Sequence, residues 1–315
     1  AIWPFERAWP EMLRRPRRGC TALAVAVLLS SSHRRCGQRA FWSSGSRGFW
    51  PAAWAMASSK SAELPASTTE EIKVTNPDAK GMGHGSMGWL EEDPRKFFSA
   101  PATRNMGGIQ EVLRKYLADE PGGLVLEIGS GSGQHVSAFA KTLPRLQFQP
   151  TEYPGHPNPR ADPQDATQIL ESISAYTADI PNVLKPQLLD ASSLSTWDVI
   201  PSSSLLAMIA INVIHISPPT VMEGILIGAG AKLKTGGRLF FYGPFAVEGK
   251  IEGDGNIEFQ EKLKELNPEF GLRDTAVLRD FAASCGLKLL EDVYFSERNN
   301  HMLCFQKVAE GAQKL

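Results

Sequence analysis

The stretch that most constrains this chain is residues 125–135, where an apolar run leads directly into three alternating glycines. The pattern predicts a buried strand, a tight turn and the start of a helix. Glycines allow backbone to pass close to a ligand where a Cβ would collide. The dinucleotide fingerprint G-x-G-x-x-G would need Gly or Ala at position 134, where this chain has Gln134. With Glu127 near the end of the strand, the layout favours a nucleoside with a positively charged amino-acid tail over NAD.

Helical and strand patterns alternate from about residue 97 onward. The predicted strands are 124–128, 146–151, 187–189, 205–211 and 238–242, with a final pair at 287–295 and 301–307. The predicted helices lie around 109–117, 136–143, 163–180 and 218–232, and a last one is capped by Asp274. Such alternation predicts an α/β fold: an open, doubly wound, seven-stranded, Rossmann-like sheet that ends in an antiparallel hairpin. Ligands of such sheets bind beyond the carboxyl ends of the strands.

Charge is distributed unevenly along the chain. Residues 1–60 contain ten Lys and Arg but only two acids, whereas residues 61–315 contain 23 Lys and Arg and 32 acids. An acidic body argues against nucleic acid as the main partner, because phosphate binding depends on Lys and Arg. The four cysteines show no metal-ligand spacing, and we expect reduced thiols and no metal site.

The first sixty residues do not have the pattern of a folded domain. They combine an Arg-rich segment around 14–18 with a short apolar run from Ala22 to Leu29 and many serines. This composition is typical of a signal or transit peptide, and the apolar run is too short to span a bilayer. The alternative is that the segment is not native and that the protein starts near Met56. We expect a cytoplasmic protein if it starts near Met56, and an organellar one (plastid or mitochondrion) if residues 1–55 are a targeting leader.

The rest of the chain divides into three parts on composition. Residues 61–96 predict a flexible linker, residues 97–310 a single domain, and residues 311–315 a tail. We expect no stable membrane insertion and a monomer.

The polar residues at the predicted strand ends match the parts of S-adenosylmethionine. Glu152, after the second strand, offers two oxygens to the ribose hydroxyls. Asp190, after the third strand, is placed to accept from the adenine amine, and Asn212, after the fourth, faces the methyl group. The helix that begins at Gln134 directs its positive end at the tail carboxylate. The predicted cofactor-binding residues are Glu127, Gly129, Gly131, Gly133, Gln134, His135, Glu152, Asp190 and Asn212.

Acids near strand ends are commonly helix caps, and an acid such as Glu152 also occurs in dehydrogenases. Three further features favour S-adenosylmethionine over NAD: Gln134, the acid Asp190, and the glycine-containing turn at 233–239 before the fifth strand. Together they resemble the class I S-adenosylmethionine-dependent methyltransferases.

A second set of motifs, outside that shared core, resembles the methyltransferase-like protein 26 family. The motifs are Arg104–Asn105, Ser130–His135, Gln149–Pro150, Asn212–Pro218, Tyr242–Phe245, Gly249–Ile251, Asn267–Ala276 and Asn299–Asn300. The resemblance covers about residues 100–308 and implies a class I methyltransferase, with no substrate assigned. The segment Tyr153–Arg160 is longer and richer in proline than the corresponding turn of that family.

Candidates for the methyl-acceptor side are fewer. We predict His215 and Tyr242 as catalytic residues, and Asn105, Tyr242 and Arg273 as substrate-binding residues. Each has a structural alternative: a buried polar or capping residue for His215, a pocket wall for Tyr242, and a salt bridge for Arg273. Asn212 is not followed by the Pro-Pro-aromatic sequence of many amide and base N-methyltransferases, which disfavours those substrates.

The sequence therefore predicts an S-adenosylmethionine-dependent methyltransferase acting on a small molecule. Two alternatives keep the fold: a non-catalytic methyltransferase-like binding or regulatory protein, and a protein methyltransferase. An NAD-dependent oxidoreductase is the alternative with a different cofactor.

Overall fold

The structure is a computed structural model that describes residues 74–75, 87–155 and 166–309. The predicted leader 1–60, much of the predicted linker, most of the segment Tyr153–Arg160 and the tail 311–315 lie outside these residues. Twelve strands are present in the described ranges: β1 (Val74–Thr75), β2 (Met87–Leu90), β3 (Phe97–Ser99), β4 (Leu124–Ile128), β5 (Gln147–Glu152), β6 (Gln187–Leu188), β7 (Leu205–Ile211), β8 (Leu233–Gly243), β9 (Ala246–Val247), β10 (Lys250–Ile251), β11 (Leu287–Phe295) and β12 (Asn300–Lys307). The α-helices of the same ranges are α1 (Ala100–Leu117), α2 (Gln134–Thr142), α3 (Thr167–Thr177), α4 (Pro219–Lys232), α5 (Asp254–Leu266) and α6 (Thr275–Ser284), with a 3-10 helix at Leu194–Val199.

Seven strands form the central sheet in the order β11-β12-β8-β7-β4-β5-β6. Neighbouring strands from β8 to β6 are parallel, and β12 is antiparallel to both β8 and β11. The predicted seven-stranded α/β fold and its C-terminal antiparallel hairpin are thus confirmed. From β4 the chain adds β5 and β6 on one side, and then returns to add β7 on the other side of β4. The strand order therefore switches between β4 and β7, beside the glycine turn that follows β4.

Helices cover both faces of the sheet, as near-continuous apolar strands require. All seven residues of β7 are buried. On one face α1, α2 and α3 contribute Ile109, Phe139 and Ile173 to the core. On the other face α4 and α6 contribute Ile225 and Leu278.

The glycine-containing segment before the fifth parallel strand differs from its prediction. We expected a glycine-containing turn within 233–239, before a strand at 238–242, but β8 already starts at Leu233. Leu205 pairs with Leu233, while Ala207 pairs with Arg238, so the segment between them bulges out of the ladder. Gly236 has a φ of 81°, a left-handed conformation that glycine adopts without a Cβ penalty.

Ordered structure starts earlier than the linker prediction allows. Strands β1 and β2 lie within residues 61–96 and form a three-stranded antiparallel sheet with β3. The linker prediction is therefore wrong for Met87–Leu90, where partly exposed and buried residues alternate. The backbone N–H of Phe97 donates to the Ser172 hydroxyl of α3 at 2.8 Å, which attaches β3 to the main domain. Glycine-rich composition hid this short alternation from sequence analysis.

The segment between β8 and α6 also contains elements that the sequence analysis did not predict, namely the small hairpin β9–β10 and helix α5. Among the described residues, no helix combines the length and apolar character needed to cross a bilayer.

Candidate functional site

The turn between β4 and α2 has the conformation that its glycines predict. Gly129, Gly131 and Gly133 have φ values of 64°, 54° and 90°, all in the left-handed region. A Cβ on Gly129 would lie 2.9 Å from Val213 Cγ2, and one on Gly133 would lie 2.7 Å from the Ile173 Cα. A Cβ on Gly131 would meet no other atom within 4 Å in the described part of the chain. The outer glycines are therefore needed for packing, whereas the middle one borders open space.

Glu152, the last residue of β5, is directly connected to this turn. The backbone N–H of Gly131 donates to Glu152 Oε2 at 2.9 Å, and the N–H of Tyr153 donates to Oε1 at 2.9 Å. Glu152 is buried. A carboxylate accepts about four hydrogen bonds in total, so each oxygen retains capacity for a ligand hydroxyl. Glu152 thus bridges a strand end and the glycine turn, and does not cap a helix.

Glu127, near the end of β4, is fully buried. Its Oε2 and the Ser130 hydroxyl have no hydrogen-bond partner among the described residues. Burial raises the pKa of Glu127 to about 8; the nearby Ser130 hydroxyl partly opposes this rise, and the charge of Glu152 adds a smaller increase. A buried carboxyl oxygen without a partner is costly, which is typical of a group that awaits a ligand.

Gln134 lies beside the turn, but its side chain bonds to the protein. Its Oε1 accepts from the Ser99 N–H at 2.7 Å and from the Ser132 hydroxyl at 3.0 Å. Its Nε2 donates to the Thr103 hydroxyl at 3.0 Å. The side chain therefore holds the start of α1 against the glycine turn.

His135, the next residue of α2, is buried and stacks on Phe139 with ring centroids 5.6 Å apart. Burial lowers its pKa to about 4, so the ring is neutral at pH 7. Its Nε2 has no hydrogen-bond partner in the described part of the chain.

Asp190 and Asn212 follow β6 and β7 at the same edge of the sheet. Asp190 Oδ1 accepts from the Ser192 N–H and hydroxyl at 3.0 and 2.6 Å, while Oδ2 makes no bond to another described residue. Asn212 has a φ of 56°, which is unusual for a residue with a Cβ, and its N–H donates to the Tyr242 carbonyl at 2.8 Å. The positions predicted from strand order therefore do meet at one edge.

The two predicted catalytic residues are buried and chemically weak bases. Burial, with a smaller effect of the nearby Arg273 charge, lowers the pKa of His215 to about 3. The His215 ring contacts Phe259 edge-on, and its Cε1 would lie 2.5 Å from a Cβ on Gly243. Burial raises the pKa of Tyr242, whose hydroxyl accepts from Asn300 Nδ2 at 3.0 Å. At neutral pH a neutral imidazole and a protonated phenol are present.

Arg273 bonds to backbone in place of the salt bridge that sequence left open. Its guanidinium donates to the carbonyls of Ile214, Ser217 and Glu269, the first at 2.9 Å and the last at 3.1 Å. These bonds hold the loop after β7 against the segment that leads into α6. The predicted cap is present, because Asp274 Oδ1 accepts from the Ala276 N–H at 2.8 Å.

Helix α1 brings Asn105 and Tyr242 to the same region through Phe295. A Cβ on Gly108 would lie 2.7 Å from Phe295 Cε1, so the helix packs directly on that ring. Asn105 is three residues before Gly108 and shares its helix face. Tyr242 also contacts Phe295, edge-on with ring centroids 5.5 Å apart.

Sequence analysis did not select two polar groups of the C-terminal hairpin. Asn300 is the hydrogen-bond partner of Tyr242, and His301 Nδ1 lies 2.8 Å from Asp292 Oδ1. His301 pairs with Gly243 across the β12–β8 ladder, which places it at the edge where the parallel strands end. The Asn299–Asn300 motif was the only sequence signal here. No group of three or more potential metal ligands occurs among the described residues.

Solved structures that are similar to this fold include methyltransferases. An O-methyltransferase family protein from Burkholderia thailandensis superposes with a TM-score of 0.53 at 12% identity, covering 66% of this chain and 58% of its own. An O-methyltransferase family 2 protein from Planctomyces limnophilus, in complex with apigenin, has a TM-score of 0.50 at 17% identity, with coverages of 66% and 59%. A chain of the "Complex between the Haloferax volcanii Trm112 methyltransferase activator and the putative methyltransferase" has a TM-score of 0.51 at 13% identity, with coverages of 67% and 92%. This chain thus spans about three fifths of the length of the two O-methyltransferases.

These similarities, together with the glycine turn and the strand-end acids, define a protein with the Rossmann-like methyltransferase fold. Residues 96–307 match the family described as "Protein of unknown function (DUF938)", and the chain belongs to that family.

Proposed function

We propose that this protein is an S-adenosylmethionine-dependent methyltransferase that acts on a small molecule, and that it is a methyltransferase-like protein 26 relative. The observation that carries the proposal is the open side of Gly131, which lies next to the Glu152 carboxylate. Two independent features support a nucleoside ligand with an amino-acid tail: Glu127 Oε2 and Asp190 Oδ2, neither of which has a hydrogen-bond partner among the described residues. We expect a monomer without stable membrane insertion.

The residues present fit the cofactor part by part. Glu152 would hold the ribose hydroxyls, Asp190 the adenine amine, and Glu127 the ammonium group of the tail. The Gly131 backbone would lie beneath the ligand. Gln134, which bonds within the protein, would act by holding α1 against the glycine turn, with no direct contact to the ligand.

S-adenosylmethionine supplies a methyl group on a positively charged sulfur, and transfer is an in-line displacement. Positioning alone contributes about 7–11 kcal/mol in well-oriented intramolecular reactions. A general base is needed only when the acceptor holds its proton firmly. His215, with its pKa near 3, and the protonated Tyr242 are poor bases, so we favour an acceptor that is ionised before transfer.

The weak basicity of His215 and Tyr242 also favours a second candidate, a protein that binds the cofactor without catalysis. Two buried weak bases would be expected in a binding protein as well as in an enzyme that needs no base. Turnover distinguishes them, because the two proposals agree on binding. A protein acceptor would appear in the same assay as a labelled band of high molecular mass.

Calorimetric titration of the full chain with S-adenosylhomocysteine, and with NAD in parallel, tests the shared part of these proposals. We expect micromolar binding of S-adenosylhomocysteine and none of NAD. Absence of S-adenosylhomocysteine binding by a protein with a cooperative unfolding transition would refute both. A labelled-methyl assay on cell extract, divided by size, then tests turnover: label in the small-molecule fraction supports the enzyme proposal.

A further inference from the structure

We propose that Arg104, Arg298 and the Tyr242 hydroxyl form an anion-binding subsite, and that the methyl acceptor is a small carboxylate- or phosphate-bearing molecule. The subsite lies where the first turns of α1 meet the tip of the β11–β12 hairpin. The inference deepens the proposed function by naming the substrate class.

Helix geometry places Arg104 at the hairpin. Gly108 packs against Phe295 so closely that a Cβ would lie 2.7 Å from the ring. Arg104 is four residues before Gly108, so both lie on the same face of α1. Arg104 therefore projects from the helix one turn beyond the contact with Phe295.

Arg298 reaches the same place from the hairpin. Its backbone N–H donates to the Phe295 carbonyl at 3.2 Å, which folds the tip back over that residue. The positive charge of Arg298, after the larger effect of burial, lowers the pKa of the Arg104 guanidinium. The same charge opposes the rise in the pKa of Tyr242. Arg298 thus lies within electrostatic range of both other members of the subsite.

Tyr242 provides a third donor. Its oxygen accepts from Asn300 Nδ2, so its own proton stays available, and it has no acceptor among the described residues. Tyr242 and Asn300 are both buried, which fixes the direction of the hydroxyl. The aromatic rings of Tyr242 and Phe295 would form an apolar wall beside it.

Neither arginine is neutralised by another described residue. Within the described ranges, no carboxylate lies within ion-pair distance of Arg104 or Arg298, and their side chains make no hydrogen bond. Three other arginines of the domain have partners: Arg95 pairs with Asp93, Arg238 pairs with Glu120, and Arg273 donates to three carbonyls. Two like charges held together without a counter-ion repel each other, and a bound anion removes that repulsion.

Benzoate and benzamide test the subsite, because they share one shape and differ in charge. Each is titrated into the full chain at constant ionic strength, with and without S-adenosylhomocysteine. We expect wild-type protein to bind benzoate at least tenfold more tightly than benzamide. Arg104→Gln and Arg298→Gln should each reduce this ratio to below threefold. Arg114→Gln is the matched control, since Arg114 is an exposed arginine of the same helix without an ion pair, and it should keep the ratio.

The outcomes separate this inference from the proposed function. Equal binding of the two probes by wild-type protein, no binding of either, or a ratio that survives when Arg104→Gln and Arg298→Gln are combined would overturn the anion subsite. S-adenosylhomocysteine affinity should stay within twofold in all three single variants, because Arg104 and Arg298 lie on the acceptor side and Arg114 lies outside the subsite. Failure of S-adenosylhomocysteine to bind, with the benzoate preference intact, would refute the methyltransferase proposal and leave the anion subsite.

Discussion

The backbone N–H of Gly131 donates a 2.9 Å hydrogen bond to Oε2 of Glu152, which connects the glycine turn after β4 to the end of β5. The bond fixes the position of the turn relative to the end of β5 and the direction of the carboxylate. One residue provides an open backbone surface and the other provides acceptors beside it. A substitution at either residue can therefore affect both the turn and the ligand site, so ligand affinity and folding stability are measured separately.

Gly131→Ala should lower the affinity for S-adenosylhomocysteine at least tenfold. The new Cβ would project into space that the described residues leave open, where we expect the ligand to lie. The left-handed φ of 54° adds strain of about 1 kcal/mol for a residue with a Cβ. Gly236→Ala is the matched control. Gly236 also has a left-handed φ, of 81°, and a Cβ there would meet no described atom within 4 Å, but it lies near the start of β8, away from the glycine turn. Equal affinities for the two variants would contradict the assignment.

Glu152→Gln should weaken S-adenosylhomocysteine binding by about 1.5–3 kcal/mol, the range for hydrogen bonds to a charged group. The amide oxygen can still accept from the Gly131 N–H, so the turn should keep its conformation. Calorimetry measures the affinity, and urea unfolding measures the stability. A loss below about 0.5 kcal/mol would mean that the carboxylate serves only to hold the turn.

Binding of S-adenosylhomocysteine at pH 7 should release close to one proton from Glu127. The pKa of about 8 keeps the free carboxyl mostly protonated at this pH, and a bound ammonium group would lower that pKa. Affinity should therefore fall as the pH decreases below 8. Titrations in buffers of different ionisation enthalpy measure the released protons, and Glu127→Gln should abolish the release. Proton release that persists in this variant would assign it to another group.

Arg273→Met should destabilise the fold by about 3 kcal/mol or more, because three carbonyls lose a charged donor. The loop after β7 would lose its attachment to the segment before α6. Cofactor affinity, measured below the unfolding transition, should change less than twofold. A stable variant with weakened substrate binding would instead support the role predicted from sequence.

His215 should make the protein less stable as the pH falls from 6.5 toward 3. Its pKa of about 3 in the fold is below the ordinary value of 6.5, so the unfolded chain binds the proton first. At about 1.4 kcal/mol per pH unit, protonation of His215 in the unfolded chain lowers the free energy of unfolding by about 2 kcal/mol at pH 5. Glu127, whose pKa is raised, acts in the opposite sense between pH 4.5 and 8. The unfolding free energy is therefore measured at pH 7 and at pH 5, in wild type and in His215→Gln. The decrease between the two pH values should be smaller in the variant. An equal decrease in both proteins would show that His215 does not contribute.

Local pattern alone determined much of this protein. The apolar run of β4, the glycines after it and the periodicity of α2 lie within about 20 residues, so their structure follows from backbone sterics and hydrophobic periodicity. The same holds for the fully apolar β7 and the C-terminal hairpin. Parallel strands then bring Glu152, Asp190 and Asn212 to one edge, as their sequence positions predict.

Only the tertiary structure decided which polar groups remain free for a ligand. Gln134 and Arg273 carry side chains suited to binding, yet Ser99, Thr103 and the loop after β7 occupy their donors and acceptors. Those partners lie 31 to 59 residues away along the chain. The convergence of Arg104 with Arg298 likewise depends on helix α1 packing on Phe295. A hydrogen bond extends about 3 Å, so a side chain's availability depends on contacts that sequence spacing does not encode.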